Sequence, residues 1–275
     1  MLGAGGAGAL TFHAGVLDAL EHVGEHPARS PLIIGTSAGA VTGAFLRLGL
    51  DHDRAVADWI RPPTEAERQQ LRQRLVRGFR PWPLDAGVAR RLRSGAPLLA
   101  ALAPMLPAGT FPTRELLPWF ADEPLPPGLW VPAVRADSAT TVVFGRDRHD
   151  FSLVDTLTAT MAVPGTFQPH RSDDVVFVDG GTVSSTHADT ALTAGLDRVI
   201  VSAPMARPEH GWVLRHAARR LDAEVGRLTR RGVESVVVRP DPEHADLFLG
   251  FPRHHPERAD EIRRHGFDRA MEALR

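Results

Sequence analysis

Leu32-Ile33-Ile34-Gly35-Thr36-Ser37-Ala38-Gly39 is a short apolar run that ends in Gly-x-Ser-x-Gly, with Ala40, Val41, Ala44, Phe45 and Leu48 following at once. Leu32 to Ile34 reads as a buried strand and Ser37 to Leu48 as the helix leaving it. The junction is therefore a nucleophile elbow. Such a sharp strand-to-helix turn lifts a serine hydroxyl clear of the sheet, and glycine at its flanks lets backbone and substrate approach closely. Gly35 and Gly39 are the elbow's support on this reading, and Ser37 its nucleophile. The positive N-terminal end of the following helix faces any negative charge that develops near Ser37.

Outward from the elbow, Gly3-Ala4-Gly5-Gly6-Ala7-Gly8 forms a glycine-rich loop preceded only by Met1 and Leu2. Phe12 to Val23 then carries Val16, Leu17, Leu20 and Val23 at a helical period. Strands are predicted over Val131–Val134, Thr140–Phe144, Val175–Val178, Asp197–Ser202 and Ser235–Arg239. Helices are predicted over Leu153–Val163, ended by Pro164, and over Val213–Arg231. Strands alternating with helices imply an α/β protein, a three-layer α/β/α arrangement with a largely parallel central sheet. Residues 62–130 differ in character, being rich in proline, arginine and leucine, and read as a helical cap or insertion within a single domain spanning 1–275.

Composition narrows the chemistry. A net charge of −1 in 275 residues offers no general attraction for nucleic acid or anionic lipid, so any lipid contact is mainly apolar. With no cysteine, disulfides, thiolate catalysis and cysteine metal sites are excluded. The absence of lysine excludes Schiff-base and pyridoxal chemistry. No basic, apolar leader opens the chain, so a cytoplasmic location is expected, with peripheral contact at a membrane allowed. The most apolar stretch, Pro97 to Pro107, is too short to span a bilayer. No metal-ligand spacing stands out, and no cofactor is expected.

Three pieces fall at the ends of predicted strands, where the sites of open α/β sheets gather: the glycine loop, Ser37, and Asp179 in Asp179-Gly180-Gly181. A serine hydroxyl needs a base within hydrogen-bond reach, and backbone N–H groups can stabilise an oxyanion. Gly180 and Gly181 would let the Asp179 carboxylate approach a serine without steric conflict. In acyl transfer, Ser37 would attack an ester carbonyl, Asp179 would take its proton, and the loop would supply the oxyanion donors.

Four stretches together resemble the patatin-like phospholipases, serine acyl hydrolases with a Ser-Asp dyad and no catalytic histidine. They are the glycine loop running into His13-Ala14-Gly15-Val16-Leu17, the Gly-Thr-Ser-Ala-Gly elbow, Ala162-Val163-Pro164-Gly165 with Phe167 and Pro169, and Val178-Asp179-Gly180-Gly181. The resemblance spans residues 3 to 181. It implies Ser37 as nucleophile, Asp179 as base, an oxyanion hole lined by Gly5 and Gly6 with Ala7 and Gly8, and a lipid or other acyl-ester substrate. The family's loop usually carries an Arg or Lys, whereas here it reads Ala7-Gly8-Ala9-Leu10.

Other readings compete. Gly3-x-Gly5-x-x-Gly8 also satisfies a dinucleotide-binding fingerprint, but the second strand ends in Gly35-Thr36-Ser37 instead of the acidic residue that holds a ribose. A Ser-Asp-His triad would recruit His187, yet only about two strands fit before Ser37, too few for the α/β-hydrolase order. Asp179 read plainly is a turn residue, and His13 a packed helix residue. Leu98, Leu99, Leu102, Met105 and Leu106 read as core, with a lid as the alternative. The arginines of 215–231 read as a solvated face. A patatin fold kept as an inactive binding or regulatory module is the remaining alternative.

Overall fold

Helix formation starts at the glycine loop itself. In the computed structural model, which describes residues 1–60, 65, 69, 87–93, 97–103, 109, 111–172, 174–207, 211–244 and 256–275, the elements in chain order are α1 (Gly6–His22), β1 (Ile33–Ile34), α2 (Ala38–Leu48), α3 (His52–Ile60), α4 (Gly87–Arg93), α5 (Leu98–Leu102), β2 (Leu129–Arg135), β3 (Thr141–Phe144), α6 (Leu153–Thr160), β4 (His170–Ser172), β5 (Val175–Asp179), β6 (Arg198–Ser202), α7 (Trp212–Arg230), β7 (Glu234–Val238) and α8 (Pro256–Ala273). They fall into two compact units, Met1–Pro62 with Ser184–Arg275, and Pro63–Val183.

Among the described residues, the strand pairings within the first unit are parallel. Leu2 bridges in parallel to both Gly35 and Ser202, and β6 pairs with β7 from Arg198 opposite Glu234 to Ser202 opposite Val238. The helical connections α7 and α1 allow this, since parallel neighbours need a long crossover. Phe12, Val16, Ala19 and Leu20 of α1 pack with Val238, Ile262 and Ala270 in one buried cluster. The expected apolar stripe of α1 holds except at Val23, which is the C-cap and exposed.

The expectation of a largely parallel sheet is corrected in the second unit. There β2 pairs with β3, β2 with β5, and β4 with β5, all antiparallel, so the strands of the molecule run both ways. The reason lies in the connections: five residues join β2 to β3 and two join β4 to β5, lengths that close a hairpin and cannot make a crossover. Val134, Ala136, Ala139 and Val178 form this unit's buried cluster with Ala100 and Ala103. Within 62–130 the structure describes α4, α5 and residues 111–130, which hold a 3₁₀ turn at Thr113–Leu116 and the start of β2, whereas most of 63–86 and 104–110, including Met105 and Leu106, lies outside the described residues. Leu98 is exposed and Leu102 half-buried.

α1 and α8 meet at close range. A Cβ built on Gly15 would stand 1.9 Å from the Arg263 carbonyl oxygen, and one on Gly266 would stand 2.5 Å from that of Phe12. Arg263 also grips Asp18 with both Nε (2.6 Å) and Nη2 (3.0 Å) and reaches Asp53 at 2.8 Å. Because both atoms at Gly15 are main chain, nothing flexible can yield. Gly15→Ala is expected to destabilise the protein by about 3 kcal/mol, read as a lowered denaturant midpoint.

Candidate active site

Hydrogen bonds carried by Leu2 set the glycine loop beside the elbow. Its N–H donates to Ile34 O at 2.8 Å, and its carbonyl accepts from Thr36 N–H at 3.0 Å. On the other side Gly3 N–H donates to Ser202 O at 2.9 Å and Ser202 N–H to Met1 O at 2.9 Å. The loop and Ser37 therefore leave adjacent parallel strands at the same end.

The elbow is built on the absence of side chains. A Cβ on Gly39 would lie 2.0 Å from Leu2 O, and one on Gly35 would lie 2.5 Å from Gly39 O. Ser37, 7% exposed, caps α2 at φ 54°, ψ −121°, a conformation that costs a residue with a side chain about 1–3 kcal/mol. Its hydroxyl stands at the N-terminus of an eleven-residue helix.

Gly5, at φ 148°, caps α1, and Gly6 follows at φ 65°. The first helical bond runs from Ala9 N–H to Gly5 O, so the N–H groups of Gly6, Ala7 and Gly8 precede any intrahelical acceptor. Gly5 and Gly6 are exposed, Ala7 is half-buried and Gly8 buried. Such a row of backbone donors at a helix N-terminus suits a negative charge.

Asp179 belongs to the second unit, at the end of β5 and 4% exposed. Its Oδ1 accepts from Gly181 N–H at 2.6 Å, its carbonyl accepts from Thr182 Oγ–H at 2.8 Å, and its N–H donates to Ala162 O at 3.0 Å. Gly180 and Gly181 open the 3₁₀ turn Gly180–Thr182. The carboxylate is thus held by the turn it caps, and the Ala162-Val163-Pro164-Gly165 stretch anchors it from behind.

His187 does not take the posture of a triad histidine. Its Nδ1 lies 3.0 Å from the carbonyl of Ser184, where it must donate, whereas a triad requires that proton to face a carboxylate. Among the described residues one cluster is of metal-ligand type, Asp241, His244 and His265. There Asp241 N–H donates to His265 Nε2 at 3.1 Å, and Arg269 stands 3.2 Å from the Asp241 carboxylate, so two of the three groups have internal partners.

Sequence reading missed the residues that hold the loop from outside. Ala4 N–H donates to Ser185 O at 2.8 Å. The segment around Ser185 is in turn fixed by Glu224, a buried carboxylate on α7 whose Oε2 accepts from Thr186 Oγ–H and Ala188 N–H, each at 2.8 Å. Burial raises the pKa of Glu224, reinforced by Asp189. No local signal marks Glu224, since it lies among arginines on a helix read as solvated. Of those arginines, Arg220 and Arg227 are paired, with Glu224 and Asp189.

Two histidines of this unit are held neutral. Burial pushes His13 down to about 3 and His52, which lies 3.0 Å from Thr42 Oγ1, down to about 4. Between pH 6.5 and these values the unfolded chain binds more protons than the folded one. The stability is therefore complete above pH 6.5 and falls as the solution is acidified, by up to about 1.4 kcal/mol per pH unit per histidine. Denaturant midpoints are expected to drop between pH 6.5 and 4.5, and His13→Gln to flatten that slope. At the elbow, Ser37→Gly is expected to exceed Ser37→Ala in stability by about 1 kcal/mol, because both lose the hydroxyl and only glycine tolerates the backbone there.

The family model of the patatin-like phospholipases matches residues 1–192. No curated protein matches. Among solved structures, the chain is similar to VipD from Legionella pneumophila at 14% identity and a TM-score of 0.47, a likeness too distant to bear on chemistry. It covers 99% of this chain and 65% of that one. With glycine loop, elbow and Asp-Gly-Gly turn all inside the matched 1–192, the chain belongs to the patatin-like phospholipase family.

Proposed function

We propose that the chain is a serine acyl hydrolase that cleaves carboxylic esters of lipids, phospholipids included, through an acyl-Ser37 intermediate with Asp179 as base. The observation that carries this reading is Ser37 itself, a side-chain-bearing residue in strained backbone at a helix N-terminus, flanked by glycines that no other residue could replace. Asp179 takes the Ser37 Oγ proton as the oxygen attacks the ester carbonyl. The resulting oxyanion is met by the N–H groups of Gly5 and Gly6, with Ala7 and Gly8 completing the donor row. Asp179 then passes the proton to the departing alcohol, leaving acyl-Ser37. A water deprotonated by Asp179 releases the acid and restores the hydroxyl.

Family membership supports the substrate class, and backbone donors supply the oxyanion stabilisation without the loop Arg or Lys that relatives use. The two units work as one hydrolase domain on this reading. Among the described residues no helix is long and apolar enough to cross a membrane. A cytoplasmic enzyme that meets its lipid by peripheral contact fits the reading, and neither a metal nor an organic cofactor enters the scheme.

An active-site-directed fluorophosphonate tests it. Mass spectrometry is expected to find the label on Ser37 and to lose it in Ser37→Ala. Asp179→Asn should lower ester turnover by about 10³-fold or more, while His187→Ala leaves it within about threefold. Full activity of Asp179→Asn would remove the dyad. An unlabelled native protein would favour the inactive binding module. Turnover is expected to be unchanged by a calcium chelator.

A further inference from the structure

α1 carries a histidine where its apolar face is deepest. His13 is 0% exposed, on the turn after the glycine loop. Its Nε2 lies 2.8 Å from Gly3 O and its Nδ1 2.8 Å from Ser202 Oγ. A carbonyl can only accept, so Nε2 carries the proton, and in the neutral ring Nδ1 accepts from the serine hydroxyl. Gly3 N–H donates to Ser202 O. Three hydrogen bonds thus close a ring with one direction: Gly3 to Ser202, Ser202 to His13, His13 back to Gly3. It ties the start of the loop to the end of β6 and to α1, and Ser202 is as buried as His13.

The ring matters for what comes next in the chain. The peptide between Gly3 and Ala4 is held at both ends, its carbonyl by His13 and its N–H by the Ser185 carbonyl 2.8 Å away. Gly5 and Gly6 follow at positive φ with no side chain to restrict them. A rotation of the Gly3–Ala4 peptide would swing the Gly5 and Gly6 N–H groups with it. Holding that plane therefore fixes where those donors sit.

We propose that His13 is a positioning residue of the oxyanion loop: an imidazole, locked by Ser202 as its Nε2–H tautomer, that fixes the Gly3 carbonyl and so aims the Gly5 and Gly6 N–H groups at the oxyanion. This rests on the hydrolase reading above. Donors aimed at an oxyanion act in the transition state, so their misplacement lowers kcat and leaves KM. His13 exchanges no proton with substrate, and burial keeps the ring uncharged down to about pH 3.

The test compares His13→Leu, His13→Gln and Ser202→Ala with the native protein on a short-chain nitrophenyl ester, with circular dichroism as a check of folding. His13→Leu is expected to lower kcat by about 100-fold with KM within about threefold. His13→Gln, whose amide offers an NH₂ donor group and a carbonyl acceptor, should recover most of that loss with an unshifted pH profile. A folded His13→Leu protein with native kcat would overturn the proposal, as would a His13→Gln protein no better than His13→Leu. Should His13→Leu fail to fold, Ser202→Ala decides: a fall in kcat at constant KM supports the lock, and native kcat overturns it. The ring itself is read by histidine ¹⁵N NMR independently of activity. A single Nε2–H tautomer from pH 5 to 9 supports the lock even if the native protein turns over no ester, a result that would instead count against the hydrolase reading. A His13 ring that titrates near its ordinary value overturns it.

Discussion

The first unit depends on a contact between two stretches of main chain. The Leu2 carbonyl accepts from Thr36, and α2 comes so near it that a methyl group on residue 39 would overlap its oxygen. Backbone can approach backbone this closely only when no Cβ intervenes, so glycine at 35 and 39 is a steric requirement before it is a functional one. Once α2 is seated there, the chain between β1 and α2 has to turn within Gly35, Thr36 and Ser37. That geometry puts Ser37 at positive φ, and the strain is borne because the surrounding hydrogen bonds and packing over-determine it.

The same few residues at the chain's beginning rely on parts far along the sequence. Ser202 and Ser185 accept from Gly3 and Ala4, α8 covers the apolar face of α1, and Glu224 on α7 holds the segment that carries Ser185. Ser202, α7 and α8 all lie beyond residue 192, where the family match stops. The C-terminal third therefore helps hold the glycine loop and α1 in place even though the recognisable motifs end before it. Its contribution is to fix peptide planes, through buried carbonyls and a buried carboxylate whose desolvation is offset by the donors around them.

What was legible in the sequence follows from where each signal is stored. The elbow and the glycine loop are local: a strand too short to do anything but enter a turn, glycines at the positions where a Cβ would collide, helix formers beyond. The positions of α2 and β6 followed from periodicity to within a residue, but α1 begins at Gly6 where Phe12 was expected, and α3, β4 and α8 were not read from the sequence. Strand direction in the second unit was not legible from alternation of types. It was set by the shortness of the links from β2 to β3 and from β4 to β5, which only a strand-by-strand count of connections reveals. His13 and Glu224 were illegible for a different reason, because Ser202 lies 189 residues from His13 and Thr186 lies 38 from Glu224, and no local pattern encodes such pairings.

The choice of histidine at position 13 makes sense only in terms of direction. A buried backbone carbonyl needs a donor, and serine or threonine on α1 could supply one, but those hydroxyls bond readily to their own helix, as Thr11 does to Ala7 O. An imidazole cannot satisfy itself that way, so its two nitrogens must reach outside α1, one towards the loop and one towards β6. Being planar, it sets both at a fixed separation. It therefore measures the distance between Gly3 O and Ser202 Oγ in a way no aliphatic residue could, and the cost of burying it is repaid in orientation. That is the property needed by a loop whose glycines carry no side chain to hold it in place.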